Sequence, residues 1–251
     1  MLSVTARSLQ RFNTKRALKT ARAHGWWVRK TMDFIAVLKE GLPYVFKGTW
    51  VTLVVVAGAL SFGLAIGLPL AVGLVYGPKW LRRIIGIYVW FFRGVPLLVL
   101  LFLFYFGIFP FLGLDLSAFA VAVIVLGCIS GAYQSQILRG AILSIPEGQM
   151  QAARAVGMSD LQAVVFIVLP QALRLAVPGW SNEYAILLKD SAVTYALGVA
   201  EIMARAHHVA SRTYQHLPIY ISAGLLFMLL TFAGTRLLGA VHKRVRMKGY
   251  V

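Results

Sequence analysis

The chain has 251 residues, 59% of them hydrophobic and only 13% charged, and its 25 Lys and Arg against 8 Asp and Glu give a formal net charge of +17. Mean hydropathy is +0.77. A soluble domain carries roughly 45–50% apolar and about 25% charged residues, so this composition excludes a soluble enzyme and a disordered chain. Stretches 48–78, 94–114, 116–138 and 213–235 contain no Asp, Glu, Lys or Arg. Each exceeds the about 20 residues that a helix needs to cross a bilayer, and no run alternates as the strands of a barrel do. The fold class is therefore all-α, a polytopic membrane protein. Its basic excess reads as residues flanking spans and facing anionic lipid, with no nucleic-acid partner. The single Cys128 lies inside an apolar stretch and reads as a packing residue. No cleavable signal peptide is expected, since the first 30 residues lack an apolar core.

Residues 1–48 are basic, with Trp26, Trp27, Phe34, Ile35 and Leu38 interleaved. They read as a tail followed by a helix lying in the membrane interface. Span 1 is expected from Thr49 to Tyr76, broken by Gly77-Pro78, with a basic loop at 77–83. Span 2 covers Gly94 to Phe111, and a short turn at 112–117 leads to span 3, Ala118 to Leu138. The segment 161–188 is apolar but holds Arg174, Glu183, Pro170 and Pro178, which suggests a kinked, polar-lined span 4 inside the bundle. A loop at 189–218 precedes span 5, Ile219 to Val241, and 244–251 form a basic tail. Lys79, Arg82, Arg83 and the C-terminal cations place both of those segments in the cytoplasm. The turn at 112–117 and the loop at 189–218 are then outside. Five spans put the N-terminus outside too, against its own basic charge.

The loop between spans 3 and 4 carries the most local information. Ser144 with Glu147 reads as a capping box, and Pro146 suits a first helical turn. A short helix about 18 Å long should then run from the Ser144 cap through the Ala-rich stretch Gln149 to Val156, closed by Gly157 in a left-handed C-cap. Ser159 with Gln162 reads as a second capping box. Small Ala side chains on such a helix let another protein approach closely.

The spacing here resembles the EAA loop of ATP-binding-cassette (ABC) importer permeases. Gln151-Ala152-Ala153 is followed after three residues by Gly157, and after nine more by Ile167-Val168-Leu169-Pro170. Gln151 stands where that family usually has Glu. The segments 92–98 (FRGVPLL), 131–140 (GAYQSQILRG), 187–191 (LLKDS) and 212–214 (RTY) are similar to those of the polar amino acid permeases, with Gln136 where Glu is common. The resemblance covers about residues 41–248. It implies a type I importer permease fold of five spans, with a transmembrane domain at 49–243 that includes the coupling loop at 144–170. It also implies an inner-membrane location, a second permease subunit, an ABC ATPase dimer and an extracytoplasmic amino-acid-binding protein. ATP and magnesium would sit on the ATPase, with no cofactor bound by this chain. Gln149, Gln151, Ala152, Ala153, Arg154 and Gly157 would couple to that ATPase. Ser181, Asn182 and Glu183, similar to a stretch in permeases for basic amino acids, would line the substrate path. Glu201, Arg205 and Arg212 would meet the binding protein.

Other constellations are weaker. His207-His208 lacks a third ligand at metal-site spacing. Ser130-Gly131 has no His within a span to act as base, and no phosphate loop of the GxxxxGK[ST] type occurs. Gly63 with Gly67, and Gly127 with Gly131, have the spacing of close helix contacts. The competing class is a secondary transporter or channel subunit for a polar small molecule. Such a protein has no need of a capped Ala-Gly docking helix.

Overall fold

A run of 38 residues from Lys39 to Tyr76 is apolar enough to cross a membrane as one helix. It forms the larger part of helix α1 (Leu2–Tyr76), which passes through Pro43, residue 48 and Pro69 without a break and stops where expected, at Gly77-Pro78. The computed structural model describes the backbone of residues 2–245 and the side chains of residues 39–245. The interfacial packing expected of Trp26, Trp27, Phe34, Ile35 and Leu38 lies outside the described residues, as does the tail beyond Val245. Seven further helices follow among the described residues. They are α2 (Lys79–Gly94), α3 (Leu97–Phe111), α4 (Ala118–Leu143), α5 (Glu147–Ala155), α6 (Asp160–Leu197), α7 (Ile202–Thr213) and α8 (His216–Val245).

Four helices pass as spans by length and composition, or five if the bent pair α2 and α3 is one crossing. That pair is the first correction. The expected span 2 begins neither at Gly94 nor as a straight helix: α2 starts directly after Pro78, and the axis turns by 106° at Gly94-Val95-Pro96. Proline at 96 denies Val95 the helical region, and Val95 is extended at φ −91°, ψ 133°. The expected external loop at 189–218 is the second correction. Helix α6 continues to Leu197, α7 occupies Ile202–Thr213, and α8 opens at His216. Only short links remain.

Helix α4 forms the centre of the bundle. Val121, Ala122, Val125, Leu126, Ile129, Ala132 and Leu138 are all buried on it. Lipid tails are as apolar as leucine, so helices in a membrane gain by close approach rather than by escape from water. The glycines supply that approach. A Cβ at Gly67 would meet the Gly131 carbonyl at 3.0 Å and Ser135 N at 3.1 Å, and one at Gly127 would meet Phe62 at 2.5 Å. The paired glycines on α1 and α4 are thus helix contacts, as their spacing suggested. Helix α7 seals the end where α1 and α8 meet, through Val45, Ile202, Ala206, Ala210, Ile219 and Ala223. The outer face of α8 leaves Ile221, Leu225, Met228, Phe232 and Leu237 exposed, as a lipid-facing helix does.

Candidate functional site

Three polar regions stand out, at the two ends of the bundle and at its centre. The first surrounds α5. Its nine residues give a helix of roughly 13 Å, shorter than expected, because it starts at Glu147 with extended Pro146 as N-cap. The capping box expected between Ser144 and Glu147 does not form. Ser144 closes α4 instead, and its hydroxyl donates to Ala141 O at 2.8 Å. The C-terminal end matches expectation. Gly157 has φ +85°, Gly157 N donates to Arg154 O at 3.0 Å, and Met158 N donates to Ala153 O at 3.1 Å. Those two bonds are a Schellman motif, which satisfies the last carbonyls and turns the chain sharply. The second capping box, Ser159 with Gln162, is also present and starts α6. Across the turn Arg154 Nε meets Asp160 Oδ1 at 2.7 Å. Both side chains are exposed, so the pair adds little stability.

The coupling set divides by face. Ala153 is buried against the bundle, while Gln149, Gln151, Ala152, Arg154 and Gly157 are exposed. Val156 is 76% exposed beside them. A hollow of about 380 Å³ runs between the end of α1 and α5, bordered by Tyr76, Ile145, Met150 and Arg154. The geometry is that of a short, sharply ended helix whose outer face is mostly polar or small.

The second region lies within the bundle. Ser130 Oγ donates to Glu183 Oε1 at 2.7 Å, and Gln134 Nε2 donates to Ser130 Oγ at 3.0 Å and to Leu60 O at 2.9 Å. Three helices, α1, α4 and α6, are thereby tied by one buried hydrogen-bonded chain. Glu183 is buried, with a hydroxyl rather than a cation as its partner. Ser181 is half-buried and Asn182 is exposed. Successive helical residues point about 100° apart, so Ser181, Asn182 and Glu183 face different surroundings. Sequence reasoning missed Gln134 altogether. The available signal was two polar residues, Ser130 and Gln134, at i and i+4 on a largely apolar helix.

The third region is the α7 end. Arg205 Nε donates to Ala200 O at 2.9 Å, and its guanidinium lies 4.8 Å from the centre of the Tyr44 ring. Arg212 is exposed and borders a cleft with Glu40, Tyr44 and His208. Glu201 is not at the surface. It is fully buried and caps α7, accepting from Met203 N at 2.8 Å and Ala204 N at 2.5 Å. Burial pushes its carboxyl up to about 7, against the opposing pull of those two backbone groups. Its side chain is unavailable to a docking protein, a correction to the binding-protein contact expected there. His207 and His208 are both exposed, with His207 Nδ1 2.9 Å from Tyr220 Oη.

Known proteins were compared with this chain. The family described as binding-protein-dependent transport system inner membrane component matches residues 63–247. The probable amino-acid ABC transporter permease protein PatM of Vibrio harveyi is 37% identical over 198 residues, covering 78% of this chain and 88% of that protein. The arginine transport system permease protein ArtQ of Bacillus subtilis (strain 168) is 32% identical over 215 residues, covering 86% and 98%. The crystal structure of an amino acid ABC transporter with histidines superposes with a TM-score of 0.75 at 30% identity, over 84% of this chain and 98% of that one. An all-helical bundle with four to five apolar spans and a match over most of its length make this chain a multi-pass member of the family of inner membrane components of binding-protein-dependent transport systems.

Proposed function

We propose that this chain is the membrane-spanning permease subunit of an ATP-driven importer for polar amino acids. One observation carries the coupling part of that reading: the exposed helix Glu147–Ala155 with its Schellman stop at Gly157. A stiff helix between two spans can act as a lever. Closure of an ATPase dimer on nucleotide would push it, and the spans would shift between inward-open and outward-open populations. ATP and magnesium belong to the ATPase subunits, and this chain binds no cofactor. A second permease subunit, identical or similar, completes the pathway. The α5 end faces the cytoplasm together with the C-terminus, and the N-terminus lies outside.

The amino acid reading draws support from the names of the relatives, PatM and ArtQ. A basic amino acid is the first candidate, with glutamine or another polar one next. Glu183 meets the passenger only in a state that opens the contact between Ser130 and Glu183, whereas Asn182 is exposed already. Arg205 and Arg212 remain the candidate contacts for the binding protein. A secondary transporter or channel would share the spans, yet it has no use for a docking helix followed by Ile167-Val168-Leu169-Pro170.

The test is Gly157→Asp. A Cβ at this position meets nothing within 4 Å, so the damage is conformational. At φ +85° glycine is free of strain, whereas most L-residues pay roughly 1–2 kcal/mol there and aspartate less. An acid at a helix C-terminus also opposes the dipole. Uptake and binding-protein-stimulated ATP hydrolysis should both fall to background in proteoliposomes, with membrane insertion intact. Wild-type stimulation in the variant would remove α5 from the coupling mechanism.

A further inference from the structure

The corner where α1 hands over to α2 carries an apolar groove that the transport reading does not use. Leu68, Val72 and Tyr76 of α1, Leu81 of α2, and Leu161 and Val165 of α6 line it, around a volume of about 510 Å³. Its mouth is basic. Arg82 Nε donates to Gly77 O at 2.8 Å, and Gly77 itself borders the groove, so the guanidinium is held at the groove's end. Lys79 and Arg83 flank it and are exposed. Among the described residues, the one ion pair within 4 Å joins Arg154 to Asp160. Lys79, Arg82 and Arg83 therefore have no carboxylate in contact. Asp160, the acid beside Leu161 on the opposite lip, is already neutralised by Arg154.

Depth divides the groove from its mouth. Leu68 lies eight residues before Tyr76, roughly 12 Å along the helix. That is close to one leaflet of a hydrocarbon core about 30 Å thick. Tyr76 and Trp80, both exposed, mark the headgroup level, where aromatic rings gather. The apolar walls thus fall at acyl-chain depth, and the three cations fall at phosphate depth. The walls alone would suit any apolar surface, and the cations decide between occupants. A second copy of this chain packed here about a two-fold axis would set its own Lys79, Arg82 and Arg83 against these three. Such a like-charge contact disfavours the copy, whereas an anion with an apolar tail satisfies both parts of the groove.

We infer that this groove binds an anionic phospholipid, with an acyl chain between α1, α2 and α6 and the phosphate on Arg82, beside Lys79 and Arg83. The chemistry matches: a planar guanidinium takes phosphate oxygens through parallel N–H···O bonds. Gly77 O already orients that guanidinium, which lowers the entropy lost on binding. Juxtamembrane Lys and Arg each add to the attraction for anionic lipid. The cytoplasmic placement of this end, proposed above, supplies a leaflet that holds such lipid, but the groove's chemistry does not depend on the transport reading. Leu161 directly follows the turn that joins α5 to α6, so the lipid ties the start of α6 to the end of α1.

The experiment titrates the detergent-purified membrane complex with phosphatidylglycerol or phosphatidylcholine of equal chain length and counts bound lipid by native mass spectrometry. Phosphatidylglycerol should bind at least about 10-fold more tightly, since three cations favour it, and inorganic phosphate should not displace it. Arg82→Gln should weaken phosphatidylglycerol about 5-fold, the share of one juxtamembrane cation, and leave phosphatidylcholine unchanged. Val165→Trp fills the groove with all three cations in place and should weaken phosphatidylglycerol by about 10-fold or more. Leu229→Trp, on the exposed face of α8, should not. Phosphatidylglycerol should also raise the melting temperature of the wild-type complex but not that of Val165→Trp. Several results would overturn the assignment: equal binding of the two lipids, displacement by inorganic phosphate, or wild-type binding in either Arg82→Gln or Val165→Trp. An oxidative crosslink between two copies through Val165→Cys, in a Cys128→Ala background, would also overturn it, because the groove would then be an interface between permease subunits.

Discussion

Glu201 shows how far a residue's chemistry can depart from its apparent role. In the sequence it is an acid among Arg205, His207, His208 and Arg212, which suggests a solvated face. In the fold its backbone presses on α1, where a Cβ on Gly48 would lie 2.7 Å from Glu201 C, and its carboxylate closes the first turn of α7. The pH consequence follows from the raised pKa. Between the ordinary glutamate value of about 4.3 and about 7, the folded chain holds a proton that the unfolded chain has released. Stability therefore falls as pH rises through that window and is flat above it, as far as this group contributes. Melting curves of the purified protein across the window should show that decline, and Glu201→Gln should flatten it. Parallel profiles for the two proteins would mean that Glu201 is ionised in the fold. Gly157 was legible from its place after an Ala-rich segment, because only one backbone conformation ends a helix there. Glu201 was not, because a cap is recognised only once the helix after it is known.

Helices α2 and α7 are the elements that sequence reasoning passed over, and both are shorter than a span. Ile202, Ala206 and Ala210 recur at i, i+4 and i+8 on α7 and are all buried, yet charges on the other face made the segment read as loop. Helix α2 is similar: Ile85 faces inward while Trp80, Ile84, Ile87 and Trp90 stay exposed. The long apolar helices were legible from charge-free windows alone, with ends displaced by a few residues. Their packing was legible from glycine spacing. That packing gives a graded prediction. Gly67 faces backbone on α4, at Gly131 O and Ser135 N, which cannot swing aside, whereas a Cβ on Gly140 meets nothing within 4 Å. Gly67→Leu should lower the melting temperature, by an overpacking cost of about 1–3 kcal/mol. It should also disturb the hydrogen-bonded chain from Leu60 to Glu183. Gly140→Leu should leave stability near wild type. Equal effects of the two would mean that the α1–α4 contact is looser than described.

At the scale of the whole molecule, the functional argument depends on which end of the bundle faces the ATPase. Helix α4 separates the 112–117 turn from α5 by 26 residues, or roughly 39 Å, enough to put them on opposite sides of the bilayer. Loop charge assigns the sides: Lys79, Arg82 and Arg83 lie at the start of α2 and His242, Lys243 and Arg244 at the end of α8, while the 112–117 turn carries only Asp115. Cations flanking spans stay in the cytoplasm. The basic residues before Lys39 argue the other way for the N-terminus, against these three concordant segments. The chain's single cysteine, Cys128, makes the measurement simple. In a Cys128→Ala background, Asp115→Cys and Ser3→Cys should react with a membrane-impermeant maleimide in intact cells. Lys79→Cys and Gln149→Cys should react only after permeabilisation. Labelling of Ser3→Cys on the cytoplasmic side, with the other three as expected, would reverse the N-terminus alone and require another crossing before Tyr76. Labelling of Gln149→Cys from outside would invert the bundle, and α5 could then no longer be the surface on which a cytoplasmic ATPase acts.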